Sequence, residues 1–198
     1  MYRSAVPWIP DEDELPFRPS RVLVAGTSGS GKSTLARAIA RVLGVDYFEI
    51  DALYHGRGWT PNPRFIDEVA ARIGEPAWVT EWQYPSVRDA LADRADLLVW
   101  LDLPRWLVMN RVVRRTVRRS VLGLELWNGN REAPLWTFVN DPDHIVRWAW
   151  RTHPQTSARV RACVEQRPAL SAVALRSGAR VASWLSGPLA RSAIRAPR

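Results

Sequence analysis

Gly26-Thr27-Ser28-Gly29-Ser30-Gly31-Lys32-Ser33 decides the reading of this sequence. The pattern G-x-x-x-x-G-K-[ST] is complete, and Thr34 follows it. Its glycines let the backbone wrap closely, so that successive N–H groups point at phosphate oxygens. A helix opening at Gly31-Lys32 adds the positive end of its dipole. Lys32 places a charge on the β- and γ-phosphates of a nucleoside triphosphate, and the Ser33 hydroxyl is a ligand for Mg²⁺. The context fits. Val22-Leu23-Val24-Ala25 is a short apolar strand that runs into the loop, and Leu35, Ile39 and Val42 recur at helical spacing until Gly44 stops the helix.

Outward from the loop the chain alternates strand and helix. Strands are predicted at Val45–Ile50, Ala77–Thr80, Asp96–Asp102 and Ala172–Leu175, with helices between them. Asn62-Pro63 opens a helix that carries Phe65, Ile66, Val69 and Ile73 and ends at Gly74. Pro104 opens a long helix to about Ser120, and Pro154 is expected to break or kink a later one. The prediction is an α/β, P-loop NTPase fold with a five-stranded parallel sheet covered by helices on both faces. Residues 1–20, rich in proline and acid, read as a flexible extension, and residues 21–198 as one domain.

The bulk composition narrows the classes. With 198 residues there is room for one well-packed domain. Hydrophobic content of 46% argues against disorder. No apolar run is long enough to span a bilayer. The acidic N-terminus lacks a signal-peptide pattern, and a single cysteine, Cys163, excludes an internal disulfide framework. A cytoplasmic location is the resulting expectation. The net charge is +8, and Lys32 is the only lysine in the chain. Every other cationic side chain but the histidines is an arginine, suited to bidentate phosphate contacts. A basic balance also admits nucleic acid as a partner, though a small acceptor is the favoured one.

Candidate catalytic groups lie near the C-terminal ends of the predicted strands, where open α/β sheets bind ligands. Asp51 and Glu81 occupy such positions. Glu81 is assigned to the outer shell of the metal and Asp51 to the acceptor or its hydroxyl. His55, Trp59 and Tyr84 offer aromatic walls for an acceptor. Asp102 reads as a structural carboxylate. Residues 105–120 hold six arginines and no acid. On a helical wheel, Arg111, Arg114, Arg115, Arg118 and Arg119 share one arc, with Trp106, Met109, Val113 and Val117 opposite. The basic arc is read as part of a phosphate-covering lid over about 111–153, with a solvated basic face as the plain alternative. Gly123 and Gly129 are candidate hinges, and Arg131, Arg147 and Arg151 could reach inward.

These features together resemble the adenylate-kinase-like P-loop kinases, and most closely the bacterial topology-modulation or adenylate-kinase-related proteins. The resemblance rests on the loop, Ile50-Asp51-Ala52-Leu53, Gly58-Trp59, Trp78-Val79, and Trp100-Leu101-Asp102-Leu103-Pro104-Arg105. It implies ATP as phosphoryl donor, Mg²⁺, and an arginine-bearing lid. It also implies that Arg176, between the last strand and the last helix, lies beside the donor base. The family commonly has Asp-Gly-Asn-Tyr where this chain has Glu81-Trp82-Gln83-Tyr84. The expected activity is transfer of the γ-phosphoryl of ATP to a small acceptor such as a nucleotide or nucleoside. A nucleic-acid-associated P-loop ATPase is the alternative.

Overall fold

In the computed structural model the described residues are 7–122 and 145–195, with the side chains of 116–122, 145–149 and 151–153 excepted. Four parallel strands form one sheet: β1 (Arg21–Ala25), β2 (Trp78–Glu81), β3 (Leu97–Leu101) and β4 (Ser171–Leu175). Their order is β2-β1-β3-β4, so β1 lies inside the sheet and delivers its C-terminus between neighbours. The helices are α1 (Lys32–Leu43), α2 (Ile50–Tyr54), α3 (Phe65–Gly74), α4 (Arg88–Arg94), α5 (Arg105–Leu122), α6 (Ile145–Glu165), α7 (Gly178–Trp184) and α8 (Ala190–Ser192). A π-helical turn over Leu185–Leu189 joins the last two.

Successive strand residues face opposite sides of the sheet and so feed two separate cores. Val22, Val24, Leu97, Val99, Val173 and Leu175 pack with α1, α5 and α7. Leu23, Ala25, Leu98, Trp100 and Ala172 pack with α3, α4 and α6. Strands buried on both faces explain the near-continuous apolar runs read in the sequence.

Three sequence-based expectations need correction. The predicted strand over Val45–Ile50 is reduced to a single parallel bridge, Tyr47 to Val79, so among the described residues the sheet has four strands rather than five. Phe48 N–H donates to the Val79 carbonyl and Val79 N–H to that of Asp46, at 3.2 and 2.8 Å. The pairing then stops because the chain turns into α2 at Ile50, whose N–H goes to the Glu81 carboxylate instead.

Residues 7–20 are not a loose extension. Trp8 bridges Ala172 along the free edge of β4, Leu15 is fully buried, and Trp8 lies 6.0 Å from the Trp100 ring. Glu12 pairs with Arg180, and Glu14 with Arg191 and Arg195, so these acids are partnered at the surface. Finally, α6 continues through Pro154, which removes one donor from the ladder without ending it. Burial of Val160, Cys163 and Val164 against the sheet holds the helix beyond that point.

Candidate active site

The phosphate loop forms as its composition requires. Gly26, Gly29 and Gly31 take φ of 156°, 79° and 102°, a region that side chains with a β-carbon rarely adopt. Gly31 caps α1 in the left-handed conformation with no side-chain acceptor, which leaves first-turn N–H groups free for an outside ligand. Ser30 is 2% exposed, and its hydroxyl has no hydrogen-bond partner. Lys32 Nζ folds back to the Thr27 carbonyl at 3.3 Å. An orphaned buried hydroxyl, free N–H groups and an ammonium in one loop fit the oxygens of a polyphosphate. Ser28, Ser33 and Thr34 belong to the same loop and helix start. Thr34 is exposed, whereas Ser33 is half-buried at the first turn, as a metal-ligating hydroxyl would be.

Helix α5 buttresses this loop in a phase the sequence did not reveal. Trp106 and Val113, expected on the packed side, are 69% and 44% exposed. The packed stripe runs through Val108 and Val112 instead, at 1% and 0%. A residue at i+3 from Val112 shares that face, and this brings Arg115, half-buried, toward the site. Arg111 Nη1 donates to the Ser30 carbonyl at 3.0 Å. Arg114 is exposed. The Arg118 and Arg119 side chains lie outside the described residues, as do the side chains of Arg147 and Arg151 and all of Gly123, Gly129 and Arg131.

The two carboxylates are each held by a tyrosine. Glu81, 1% exposed at the end of β2, accepts from the Tyr47 hydroxyl at 2.8 Å and from Ile50 N–H at 3.4 Å. Asp51 Oδ1 accepts from the Tyr84 hydroxyl at 2.6 Å and from Gln83 Nε2 at 2.7 Å. Burial, followed by the neighbouring carboxylate charge, pushes both phenols well above their usual range, so each remains a donor. Tyr84 Oη also lies 3.2 Å from His55 Nε2. Since the phenol proton goes to Asp51, this contact assigns the hydrogen on Nε2 to the imidazole.

The same loop region carries backbone strain. Tyr84 and Trp59 both sit at φ of 60°, uncommon for aromatic residues and concentrated where function requires a fixed geometry. Tyr54 stacks on Tyr84 at 4.1 Å, and His55 meets Trp59 edge-on at 5.0 Å. The expected aromatic wall of His55, Trp59 and Tyr84 is therefore one connected cluster beside Asp51.

Lys32 registers this whole assembly. Burial lowers its pKa, the charges of Asp51 and Glu81 oppose that shift, and Arg115 and Arg88 reinforce it. The charges of Asp51, Glu81, Arg115 and Arg88 thus all reach the Lys32 ammonium, and Arg111 touches the loop itself. Arg176 is apart from them. It is exposed at the end of β4, and its Nε reaches Asp102 Oδ2 at 3.4 Å. Tyr47, Gln83 and Arg88 were missed by sequence reasoning. For Arg88 a signal existed, since it lies in the turn that follows Glu81 and opens α4, at the ligand-binding edge of the sheet. Tyr47 gave none, because it looked like one more strand residue.

Comparison with known proteins agrees with this fold. A family model described as "ATPase family associated with various cellular activities (AAA)" matches residues 22–77, from β1 to the approach to β2. A shikimate kinase from Halorhodospira halophila is 35% identical over 66 residues, covering 32% of this chain and 37% of the relative. The chain thus matches little more than a third of that relative's length. The crystal structure of a gluconokinase from Sinorhizobium meliloti is 21% identical, with a TM-score of 0.51 over 89% of this chain and 95% of its own. A shikimate kinase structure from Bacteroides thetaiotaomicron is 14% identical, with a TM-score of 0.46 over 85% and 95%. The parallel sheet, the helices on both its faces and the loop between β1 and α1 give this chain the P-loop NTPase fold.

Proposed function

We propose that this protein is a kinase that transfers the γ-phosphoryl group of ATP to a hydroxyl of a small acceptor. One observation carries the reading: a glycine loop with an orphaned buried hydroxyl and the only lysine of the chain lies in reach of the charges of two carboxylates, Asp51 and Glu81, each fixed by a tyrosine hydroxyl. The partial match to a shikimate kinase supports small-molecule phosphorylation over a purely conformational use of ATP. The resemblance to adenylate-kinase-like proteins makes a nucleotide or nucleoside the acceptor to try first.

The geometry of the described side chains supports the following roles, and Arg118 and Arg176 keep the roles expected from the sequence. Loop N–H groups, Lys32 and the Ser30 hydroxyl hold phosphate oxygens. Ser33 would ligate Mg²⁺. Glu81, both of whose oxygens already accept protein hydrogen bonds, would hold that metal through a water molecule. Bound Mg²⁺-ATP supplies the activated phosphoryl group. Asp51 keeps Oδ1 on Tyr84 and Gln83, which leaves Oδ2 to accept the proton of the acceptor hydroxyl. Arg111 and Arg115 spread positive charge over the transferring group, and Arg118 on the next turn of α5 is assigned to the same task. Arg176 is assigned to the donor base.

A screen of nucleotides, nucleosides and hydroxy acids by ADP release tests this. One acceptor should raise turnover at least about tenfold over hydrolysis in water, a gain of roughly 1.4 kcal/mol in barrier. If none does and DNA stimulates ADP release instead, the kinase reading fails. Lys32→Ala should abolish turnover.

A further inference from the structure

A groove of about 330 Å³ lies between α4 and α6, lined by Trp82, Arg88, Arg159, Cys163 and Arg167 among others. Its arginines are not equivalent. Arg167 is neutralised, with Nη2 on Asp89 at 2.8 Å and Nε on Asp93 at 2.7 Å. Arg88 and Arg159 have no carboxylate within 4.0 Å among the described residues. Arg159 Nη2 donates to the amide oxygen of Gln155, and the Arg88 guanidinium lies 5.5 Å from the Trp82 ring centre. The Nε of Arg88 is buried without an acceptor. Burial and the charge of Arg159 both lower the pKa of Arg88, with Asp89 opposing. Two guanidiniums without a carboxylate partner, half-buried Arg88 and exposed Arg159, repel each other at this groove, a cost that an anion would relieve. Trp82 directly follows Glu81, and the charge of Arg88 is felt at Lys32, so the inner end of the groove adjoins the transfer site.

We propose that this groove binds the anionic group, phosphate ester or carboxylate, of the acceptor. This rests on the kinase reading above and narrows it: the acceptor is an acid whose charge sits between Arg88 and Arg159 while its hydroxyl meets Asp51. The planar forks of two arginines suit either oxyanion.

Cys163 is the only thiol in the chain and lines the groove, where it is 5% exposed and touched by Arg167 Nη1 at 3.8 Å, so it is labelled only when the groove opens, and an anion that bridges the two helices slows that labelling without turnover. The full-length protein is labelled with the neutral reagent 4,4′-dithiodipyridine in inorganic phosphate, in malonate, or in chloride at matched ionic strength. Phosphate or malonate should slow labelling roughly tenfold at about ten times its Kd, by mass action. The stronger protector identifies the class of anion. Arg159→Gln, at an exposed position that the fold does not need, should remove the protection. Lys32→Ala should keep it, which separates the groove from the phosphate loop. Equal labelling in all three salts overturns the proposal, as does protection that survives in both Arg159→Gln and Arg88→Gln. Neither result depends on ADP release, so a failed acceptor screen and a failed groove are distinguishable.

Discussion

Val112 of α5 occupies the space that a side chain on Gly29 would need: a β-carbon there would lie 2.2 Å from Val112 Cγ2. The phosphate loop and the arginine helix are therefore in direct contact, and the absence of one atom at Gly29 permits it. That contact sets the phase of α5, and so decides which arginines face the loop.

Gly29→Ala should destabilise the protein by about 2–4 kcal/mol, the sum of an overpacked contact and a β-carbon at positive φ. Val112→Ala in the same chain should recover roughly 1 kcal/mol or more of that loss, the coupling typical of residues in contact. Urea denaturation of the two single variants and the double variant measures it. Strict additivity would refute the contact.

Arg111→Ala should lower kcat/KM by about 10²–10³, as loss of a charge that stabilises the transferring group does. Its side chain is exposed, so stability should change by less than about 0.5 kcal/mol. Arg114→Ala, one turn position away and pointing to solvent, should leave turnover unchanged. Steady-state ADP release compares the two. Equal losses would mean that α5 acts through its overall charge rather than through placed residues.

The contrast between Arg111 and Arg114 shows what the sequence could and could not disclose. The loop was legible because its chemistry is local: glycines at fixed offsets, one lysine, one hydroxyl, a strand before and a helix after. Glu81 was legible as a residue at the edge where a strand ends, whereas Asp51 follows no strand and sits in the first turn of α2. The packed side of α5 was not legible, because Trp106 and Val113 are as apolar as Val108 and Val112, and only burial in the core and the contact of Val112 with Gly29 distinguish the second pair. The strand over 45–50 failed for a similar reason. Its apolar pattern is genuine, but a buried carboxylate at Glu81 captures the Ile50 N–H and ends the pairing. The order of residues 7–20 rests on partners far away in sequence, with Trp8 on Ala172 and Trp100 and Leu15 in the core, and the surface arginines 180, 191 and 195 add ion pairs.

Tyr84→Phe removes the donor to Asp51 Oδ1 while keeping the ring that stacks on Tyr54. A half-buried acceptor left short of one donor costs about 1–2 kcal/mol, equivalent to a five- to thirty-fold effect. That loss should appear in transfer to the acceptor, with ATP hydrolysis in water much less affected, because Asp51 serves the acceptor hydroxyl. Both rates can be read on one preparation. An equal fall in the two would place Tyr84 in general folding rather than in holding Asp51.

His55 makes the acceptor side sensitive to acid. Burial lowers its pKa below the ordinary 6.5, and the nearby Asp51 charge only partly opposes this. The folded protein thus binds the imidazole proton less readily than the unfolded chain does. Stability is full above about pH 6.5 and declines as pH falls from there toward the folded-state pKa. Below that value the penalty is constant. Protonation would also add a positive charge beside Tyr84 and compete for Asp51, loosening the cluster that orients it. Urea midpoints between pH 5 and 8 should fall on the acid side in the wild-type protein and fall less in His55→Gln, which cannot take up the proton. If the two profiles are parallel, His55 is not the group that titrates, and the acid sensitivity has to come from elsewhere in the site.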